Sequence, residues 1–307
     1  MPRYRLFQVD AFTSVPWAGN PAGVVPRAEG LSDRQMQAIA RELNNSETVF
    51  LFPPRGPDHD VWVRFFTPNV EVPLCGHATL AAHAVRSRLR GEEAGQARQG
   101  APGGVWRVRW EGSRVAMLQE PIWRDAETSG EERARILAAL GLKPEEVADL
   151  PIDVMSNGRP KFIVPVRSEE ILRGLRPDSN ALVELSRELG PDGYLAFAPS
   201  DRGPGGEPGR GGLRFAARVF VPAAGIPEDP FNGSGQGPLG AYLVRHGAVA
   251  APAGDGVVAY TVEMGHAQGR PGEASVELRL EDGAVARAWV GGDTALVFET
   301  EIEAPPA

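Results

Sequence analysis

The sequence contains a single cysteine, Cys75, among its 307 residues. No disulfide can form within such a chain, and a protein of this length, which should form about two domains, buries a large core without one. A chain with one thiol is typical of a reducing compartment. We therefore expect a cytoplasmic protein.

The sequence also lacks long apolar runs and an excess of positive charge. Its start, MPRYRLFQVDAF, has no apolar signal-peptide core, and no run approaches the roughly 18 apolar residues of a membrane span. The net charge is -8, which is unfavourable for nucleic acid or anionic membranes because both require basic surfaces on the protein. We expect neither kind of partner.

Two common site patterns are missing as well. No HisXXXHis or HisXXGlu spacing connects the histidines, which are His59, His77, His83, His246 and His266, so the spacing gives no support for a metal site. The glycine-rich run at 233–237 follows a proline-broken loop and not a strand, unlike a dinucleotide-binding turn. A dinucleotide enzyme is therefore disfavoured.

The most informative stretch that is present is 71–90, EVPLCGHATLAAHAVRSRLR. Pro73 disfavours a helix before it and the residues from Ala78 onward favour one, so a helix should begin within 74–77. The first N–H groups of a helix lack backbone partners and can bind an anion. Apolar residues occur around most of this helix, which predicts that a sheet encloses it.

The flanking elements are predicted from caps and alternation. Strands are expected at 4–12, 24–25 and 61–66, and a hairpin at 105–118, after a glycine-rich connection. A helix should follow Ser32, which can form a capping box with Gln35. Directly after that helix comes SETVFLFPP, a predicted strand that begins at Ser46 and Glu47. Glu47 is conspicuous because the rest of the strand is apolar.

The second half of the chain repeats these signals at low similarity. ArgXPheXPro occurs at 64–68 and at 218–222, Gly76-His77 and Gly233-Ser234 each open an apolar helix, and a capped helix and a hairpin recur in the same order. Four elements in register predict two similar domains. We assign them to 1–122 and 123–307, with the last strand, about 294–307, as an element that could return to the first domain. The segment 201–212 is predicted to be a surface loop.

The two helix starts carry the candidate chemistry. Cys75 and His77 lie at the first, and Glu228, Asp229, Asn232 and Ser234 lie at the second. Two positive helix ends would together hold a small carboxylate-bearing molecule. Each residue also has a plainer role: a cysteine is often a small buried apolar residue, and His77, Asp229 or Ser234 could simply cap a helix.

Several long motifs resemble the phenazine biosynthesis PhzF-like family over nearly the whole chain. They are FTSVPWAGNPAGVV, GLSDRQMQAIARELNNSETVFL, RFFTPNVEVPLCGHATLAA, RVFVPAAGIPEDPFNGSG and QGRPG. The resemblance implies an α+β fold of the diaminopimelate epimerase type, with two pseudo-symmetric domains, each a β-barrel-like sheet around a central helix. It also implies a cofactor-free isomerase, which is usually a homodimer.

The resemblance further implies roles for individual residues. Glu47 matches the glutamate that acts as acid and base, and the substrate contacts come from the positions that match Asn20, Gly76, His77, Asp229, Gly233 and Ser234. Moving a proton between carbons of a small acid needs one carboxyl group that acts first as a base and then as an acid. The sequence departs from the common AlaThrGlySer step, because Phe231 and Asn232 precede Gly233. Substrate identity therefore does not follow from the resemblance.

Two other functions compete with this interpretation. An epimerase or racemase would use Cys75 as one carbon base, although the matching position in the second half is Ser234, a poor base at neutral pH. A non-catalytic protein could keep the fold for ligand binding or protein interaction. The presence of Glu47, His77 and Asp229 together favours the isomerase.

Overall fold

The structure is a computed structural model, and it describes residues 2–200 and 212–306. Its strands are β1 (Arg3–Ala11), β2 (Asn20–Val25), β3 (Glu47–Phe52), β4 (Val61–Phe66), β5 (Glu71–Val72), β6 (Ala94–Ala101), β7 (Gly104–Glu111), β8 (Arg114–Gln119), β9 (Trp123–Glu127), β10 (Asp153–Ser156), β11 (Lys161–Pro165), β12 (Gly193–Pro199), β13 (Leu213–Val221), β14 (Ile226–Asp229), β15 (Gly256–Met264), β16 (Gly272–Glu281) and β17 (Ala284–Glu303).

The helices are fewer and shorter. They are α1 (Asp33–Leu43), α2 (Gly76–Arg90), α3 (Gly130–Leu140), α4 (Glu169–Gly174), α5 (Ser179–Leu189) and α6 (Gln236–Arg245), with 3-10 turns at Pro144–Glu146, Pro222–Ala224, Gly233–Gly235 and His266–Gln268. None of the described helices is long and apolar enough to cross a membrane. The loop predicted at 201–212 lies, except for Gly212, outside the described residues.

The first compact unit comprises Met1–Leu118 and Gly291–Ala307. Its sheet closes on itself in the order β1, β2, β3, β4, β6, β7, β8 and the end of β17. The end of β17 pairs antiparallel with β1, from Arg3 opposite Glu303 to Ala11 opposite Thr294. This pairing closes the barrel and leaves those strands without a free edge.

Helix α2 lies inside this closed sheet. It packs against β1, β2, β3 and β7, and its buried residues occur on every side of the helix. Ala78, Ala81, Ala82 and Val85 share one apolar core with the surrounding strands. The prediction that a sheet encloses this helix is confirmed.

The second compact unit, Gln119–Val290, has the same plan. Its strands pair in the order β9, β10, β11, β12, β13, β15 and β16, and β14 adds to β13. Helix α6 packs against β9, β10 and β16. At Gly240 an added Cβ would lie 2.6 Å from Leu278, so the glycine allows strand and helix to approach closely.

The internal repeat is visible in matching ion pairs as well as in matching elements. Arg64 donates two hydrogen bonds to Glu71 (2.7 and 2.6 Å), and Arg218 donates two to Glu228 (2.8 and 2.8 Å). Each guanidinium also lies over the phenylalanine two residues later, at 5.1 and 5.0 Å from the ring centroid. The predicted pseudo-symmetry of the two domains is confirmed.

Some elements differ from the predictions. Strand β2 begins at Asn20 and not at Val24, because its first residues already pair with the end of β1. The glycine-rich connection is strand β6, which pairs with β7 along its whole length. An added Cβ at Gly95 would lie 2.5 Å from the Trp110 ring, so the glycine provides space for the ring and does not mark a loop.

Candidate active site

The start of helix α2 leaves its first N–H groups without a capping side chain. Cys75 is the N-cap residue, with an extended backbone, and its side chain makes no capping hydrogen bond. An added Cβ at Gly76 would meet nothing within 4 Å, so this backbone is open to a ligand. The partial positive charge of the helix end therefore acts on the space in front of it.

Glu47 and His77 meet at this helix end. Glu47 is the first residue of β3, and its Oε2 lies 3.4 Å from His77 Nε2. Ser46 Oγ lies 3.1 Å from the same nitrogen. The exposed fractions of the two side chains are 13% for Glu47 and 7% for His77, so the carboxylate is shielded but can still be reached.

Cys75 lies on another side of the same imidazole. Its Sγ is 3.4 Å from His77 Nδ1, and the potential ligand atoms of Glu47, Cys75 and His77 all lie within 4.8 Å of one another. A carboxylate, a thiolate and an imidazole are all Zn²⁺ ligands. Sequence spacing did not reveal this group because Glu47 lies on β3, whereas Cys75 and His77 lie at the start of α2.

Asn20 lies at the same end of the sheet as Glu47. Strands β2 and β3 run parallel, with Ala22 opposite Glu47, and Asn20 is the fully buried first residue of β2. Two parallel strands that begin together bring their first side chains to one edge of the sheet. The predicted residues Asn20, Glu47, Gly76 and His77 therefore come from neighbouring positions in the first unit.

A chain of buried hydrogen bonds supports the start of α2 from within the barrel. Thr79 Oγ1 donates to the Cys75 carbonyl (2.8 Å), and Gln99 Nε2 donates to Thr79 Oγ1 (3.0 Å). Gln99 Oε1 in turn lies 3.1 Å from His83 Nε2. Burial lowers the pKa of His83 to about 3, with a further contribution from Arg86, so the imidazole is neutral and its Nε2–H donates a hydrogen bond to Gln99 Oε1.

The second group of predicted residues forms a tight turn before α6. Asn232 donates to Asp229 Oδ2 (2.9 Å) and accepts from the Ser234 hydroxyl (3.0 Å) and the Gly235 N–H (2.9 Å). Asp229 Oδ1 also accepts from the backbone N–H of Phe231 (3.2 Å). Asn232 thus connects Asp229 to Ser234 through its side-chain amide.

Two further amides fix the backbone of this turn. Gln119 Nε2 donates to the Gly233 carbonyl (2.9 Å), and Asn157 Nδ2 donates to the Ser234 carbonyl (2.8 Å). The Phe231 ring is completely buried, so it belongs to the core, whereas Asn232 supplies the polar groups of the altered step.

Lys161 is a residue near this turn that sequence reasoning missed. It begins β11, is 2% exposed, and its side chain passes Gly193 and Gly235, where an added Cβ would lie 2.8 Å from Lys161 Cγ and 3.5 Å from Cδ. Burial lowers its pKa to about 8; nearby Arg159 lowers it further, and Asp192 and Asp229 act in the opposite direction. A signal existed in the sequence, because Lys161 is one of two lysines, with Lys143, in the chain.

Comparison with known proteins gives a consistent result. A family model described as "Phenazine biosynthesis-like protein" (PhzC-PhzF) matches residues 9–300. Escherichia coli K12 has a relative, named an uncharacterized isomerase, YddE, that is 39% identical over 302 residues, which is 97% of each chain. The trans-2,3-dihydro-3-hydroxyanthranilate isomerase of Pseudomonas fluorescens is 34% identical over 250 residues, 78% of this chain and 80% of that protein.

Solved structures agree with the sequence comparison. A PhzF-family phenazine biosynthesis protein from Bacillus anthracis superposes with a TM-score of 0.84 at 25% identity, covering 99% of this chain and 100% of that one. These matches confirm the predicted family resemblance, the fold class and the enzyme class, an isomerase.

Proposed function

Because this chain belongs to the phenazine biosynthesis-like family, we propose that it is a cofactor-independent isomerase. It moves a proton between two carbons of a small carboxylate-bearing substrate by acid/base catalysis. The observation that carries the proposal is the 3.4 Å approach of the Glu47 carboxylate to His77 in front of an uncapped helix start.

Glu47 removes the proton from one carbon and returns it to another. A carboxylate at the start of an apolar strand can perform both steps, since the same oxygen accepts the proton from the first carbon and later donates it to the second. Negative charge develops on the substrate between the two steps. The His77 ring and the open N–H groups after Gly76 are placed to stabilise that charge, as hydrogen-bond donors fixed before the reaction begins.

The other predicted residues bind and orient the substrate. In the first unit this role falls to Asn20, Gly76 and His77. In the second it falls to Asp229, Gly233 and Ser234, whose mutual positions are set by Asn232. Asp229 accepts hydrogen bonds from an amino or hydroxyl group of the substrate. The Ser234 hydroxyl, which donates to Asn232 Oδ1 in the structure, turns on substrate binding to donate to an acid group.

The substrate class follows from the acid/base step. The proton must leave a carbon whose anion is conjugated with a double bond or a carbonyl group, which describes a small unsaturated or cyclic carboxylic acid. The Pseudomonas fluorescens relative is named for one such acid, trans-2,3-dihydro-3-hydroxyanthranilate. That compound is a suitable first probe within a wider panel.

The test is deuterium uptake. The protein is incubated in heavy water with trans-2,3-dihydro-3-hydroxyanthranilate and a panel of small unsaturated and cyclic carboxylic acids, and mass spectrometry detects labelled products. We expect uptake with at least one acid by the wild type and by Glu42→Gln, which alters an exposed glutamate of α1. Glu47→Gln should fold normally and lose uptake. Uptake by Glu47→Gln at the wild-type rate would overturn the proposal.

One observation favours an epimerase as the second candidate. Cys75 Sγ lies 3.4 Å from His77 Nδ1, and an imidazole at this distance can activate a thiol as a carbon base. Its counterpart Ser234 instead donates to Asn232. Cys75→Ser separates the two functions: the isomerase keeps its exchange in this variant, whereas the epimerase loses all exchange at the α-carbon.

Assembly and location remain predictions of this proposal. We expect a cytoplasmic homodimer that binds neither nucleic acid nor membranes. Light scattering at micromolar protein concentration measures the assembly, and a monomer mass would contradict the dimer.

A further inference from the structure

The two units place different residues at corresponding positions. In the first unit, parallel strands β2 and β3 pair Ala22 with Glu47; in the second, the corresponding parallel strands β11 and β12 pair Lys161 with Gly193. Gly193 therefore takes the place of the glutamate, and Lys161 takes the place of the alanine. One unit carries a carboxylate at this edge, and the other carries an ammonium group.

The side chain of Lys161 lies across the space that the missing glutamate leaves. A Cβ at Gly193 would be 2.8 Å from Lys161 Cγ, and a Cβ at Gly235 would be 3.5 Å from Cδ. Gly235 belongs to the turn that Asn232 holds in front of α6. The stem of the lysine is thus packed between two glycines, beside the turn that contains Ser234.

The ammonium group has no counter-ion within the described part of the chain. Its one hydrogen bond goes to the Arg159 carbonyl at 3.3 Å, and it forms no ion pair there. The charged groups around it are Arg159 on its own segment, Asp192 before β12 and Asp229 on β14. An ammonium group that is buried without a close anion is costly, so an anion that reached it would gain a strong partner.

We propose that Lys161 is a substrate-binding residue of the second unit, where its ammonium group forms an ion pair with the carboxylate of the substrate beside the Gly233–Gly235 turn. This inference rests on the proposed function, because it names the group that binds the substrate's acid. The proton transfer itself remains with Glu47.

Alternative roles for Lys161 are less consistent with its surroundings. A lysine whose only role was to pack its aliphatic stem at the edge of the sheet would extend its ammonium group to solvent, as long cationic side chains usually do. A structural ion pair would need a carboxylate in contact, and Asp192 and Asp229 influence the lysine without forming such a pair. Binding of an external carboxylate satisfies both the charge and the remaining N–H donors.

The experiment observes the lysine directly. Since the chain has only Lys143 and Lys161, protein labelled with ε-¹³C lysine gives two side-chain signals, and Lys161→Met assigns them. The titration midpoint of each signal is measured with and without saturating acetate, benzoate, anthranilate or trans-2,3-dihydro-3-hydroxyanthranilate, with chloride as the control anion. Exposed Lys143 serves as the internal reference.

We expect at least one carboxylate to raise the Lys161 midpoint by one pH unit or more, while Lys143 and the chloride samples do not change. By linkage, the affinity for that carboxylate should fall about tenfold or more as the pH rises from 7 to 10. Lys161→Met should weaken its binding by a similar factor, and Lys143→Met should leave it unchanged. A Lys161 midpoint that moves with none of the four carboxylates overturns the inference.

The outcome is independent of the proposed isomerase activity. If Lys161 responds to carboxylates but the wild type takes up no deuterium, the binding role stands and the isomerase proposal fails. If Glu47→Gln abolishes deuterium uptake while Lys161 is unresponsive, the isomerase stands and the lysine's role fails. With a turned-over substrate, Lys161→Met should raise KM more than tenfold and change kcat by less than threefold.

Discussion

The start of α2 and the start of α6 are built on one plan but differ in chemistry. The first has the carboxylate of Glu47 beside His77 and an uncapped helix. The second has a helix start preceded by an Asn232-capped turn, no glutamate at the matching position, and the buried ammonium of Lys161. The repeated fold therefore supplies two similar helix starts, and our two proposals assign different chemistry to them: proton transfer to the first and anion binding to the second.

The largest effect that tests this division is on catalysis. Glu47→Gln should lower the rate of deuterium uptake by about 10⁴, the upper range for removal of a general acid/base. Asp229→Asn should lower kcat/KM by only about 10- to 100-fold, since it removes a binding contact. Steady-state kinetics with the same substrate measures both. Equal losses in the two variants would show that proton transfer is shared between the units.

The next prediction compares how much each of the two repeated ion pairs contributes to the free energy of unfolding. Arg218 donates to Glu228 and also to the carbonyls of Leu172 and Leu175, whereas Arg64 pairs with Glu71 and the exposed Asp33. Arg218→Met should lower the free energy of unfolding by about 3 to 5 kcal/mol, because it leaves a shielded charge unpaired.

Arg64→Met is the matched variant for that comparison. We expect a loss of about 2 kcal/mol, since its partners can be solvated after the change. Urea unfolding of the two variants measures the difference. A larger loss for Arg64→Met would contradict the ranking of the two pairs.

A third effect depends on pH. In the unfolded chain Lys161 titrates at its ordinary value of 10.5, and in the folded protein its pKa is about 8. Between these values the unfolded chain holds the proton and the folded protein does not, so stability rises with pH. The free energy of unfolding should increase by on the order of 3 kcal/mol from pH 8 to 10.5, relative to Lys161→Met.

Below pH 8 Lys161 is charged in both the folded and the unfolded state, so folding carries the full free-energy cost of burying its ammonium group. Lys161→Met should therefore be the more stable protein at pH 7. Denaturant titrations of both proteins at several pH values give the difference directly, and subtraction removes the contribution of the tyrosines. Parallel pH profiles for the two proteins would mean that Lys161 is solvated in the folded state.

The smallest effect tests the contact between Lys161 and Gly193. A Cβ at Gly193 would lie 2.8 Å from Lys161 Cγ, and Cγ belongs to the fixed part of the stem, so Gly193→Ala should cost about 1 to 3 kcal/mol. The cost should largely disappear in the Lys161→Ala background. Gly130→Ala is the control, because its added Cβ would meet nothing within 4 Å. Additive losses in the double variant would exclude the contact.

Local signals in the sequence were sufficient for most of the helices, although α4 was not predicted. The capping box of Ser32 and Gln35 is formed as expected, Asp178 caps α5, and α2 begins within the predicted window. Caps and apolar patterns act over a few residues, so they can be recognised without knowledge of the fold. The weak strands β6 and β9 were missed because their pairing partners, and not their own composition, keep them extended. Strands β10, β11 and β15 were not predicted either, although β11 and β15 are rich in residues that favour strands.

The sequence by itself determined the family, the repeated order of elements and the identity of Glu47 and His77 as the candidates for chemistry, because long motifs and local patterns carry that information. Only the tertiary structure decided that Ser46, Glu47 and Cys75 surround one imidazole and that Lys161 crosses Gly193 beside the turn before α6. These contacts join separate segments of the chain. Such distances depend on strand register and packing, which no local pattern specifies.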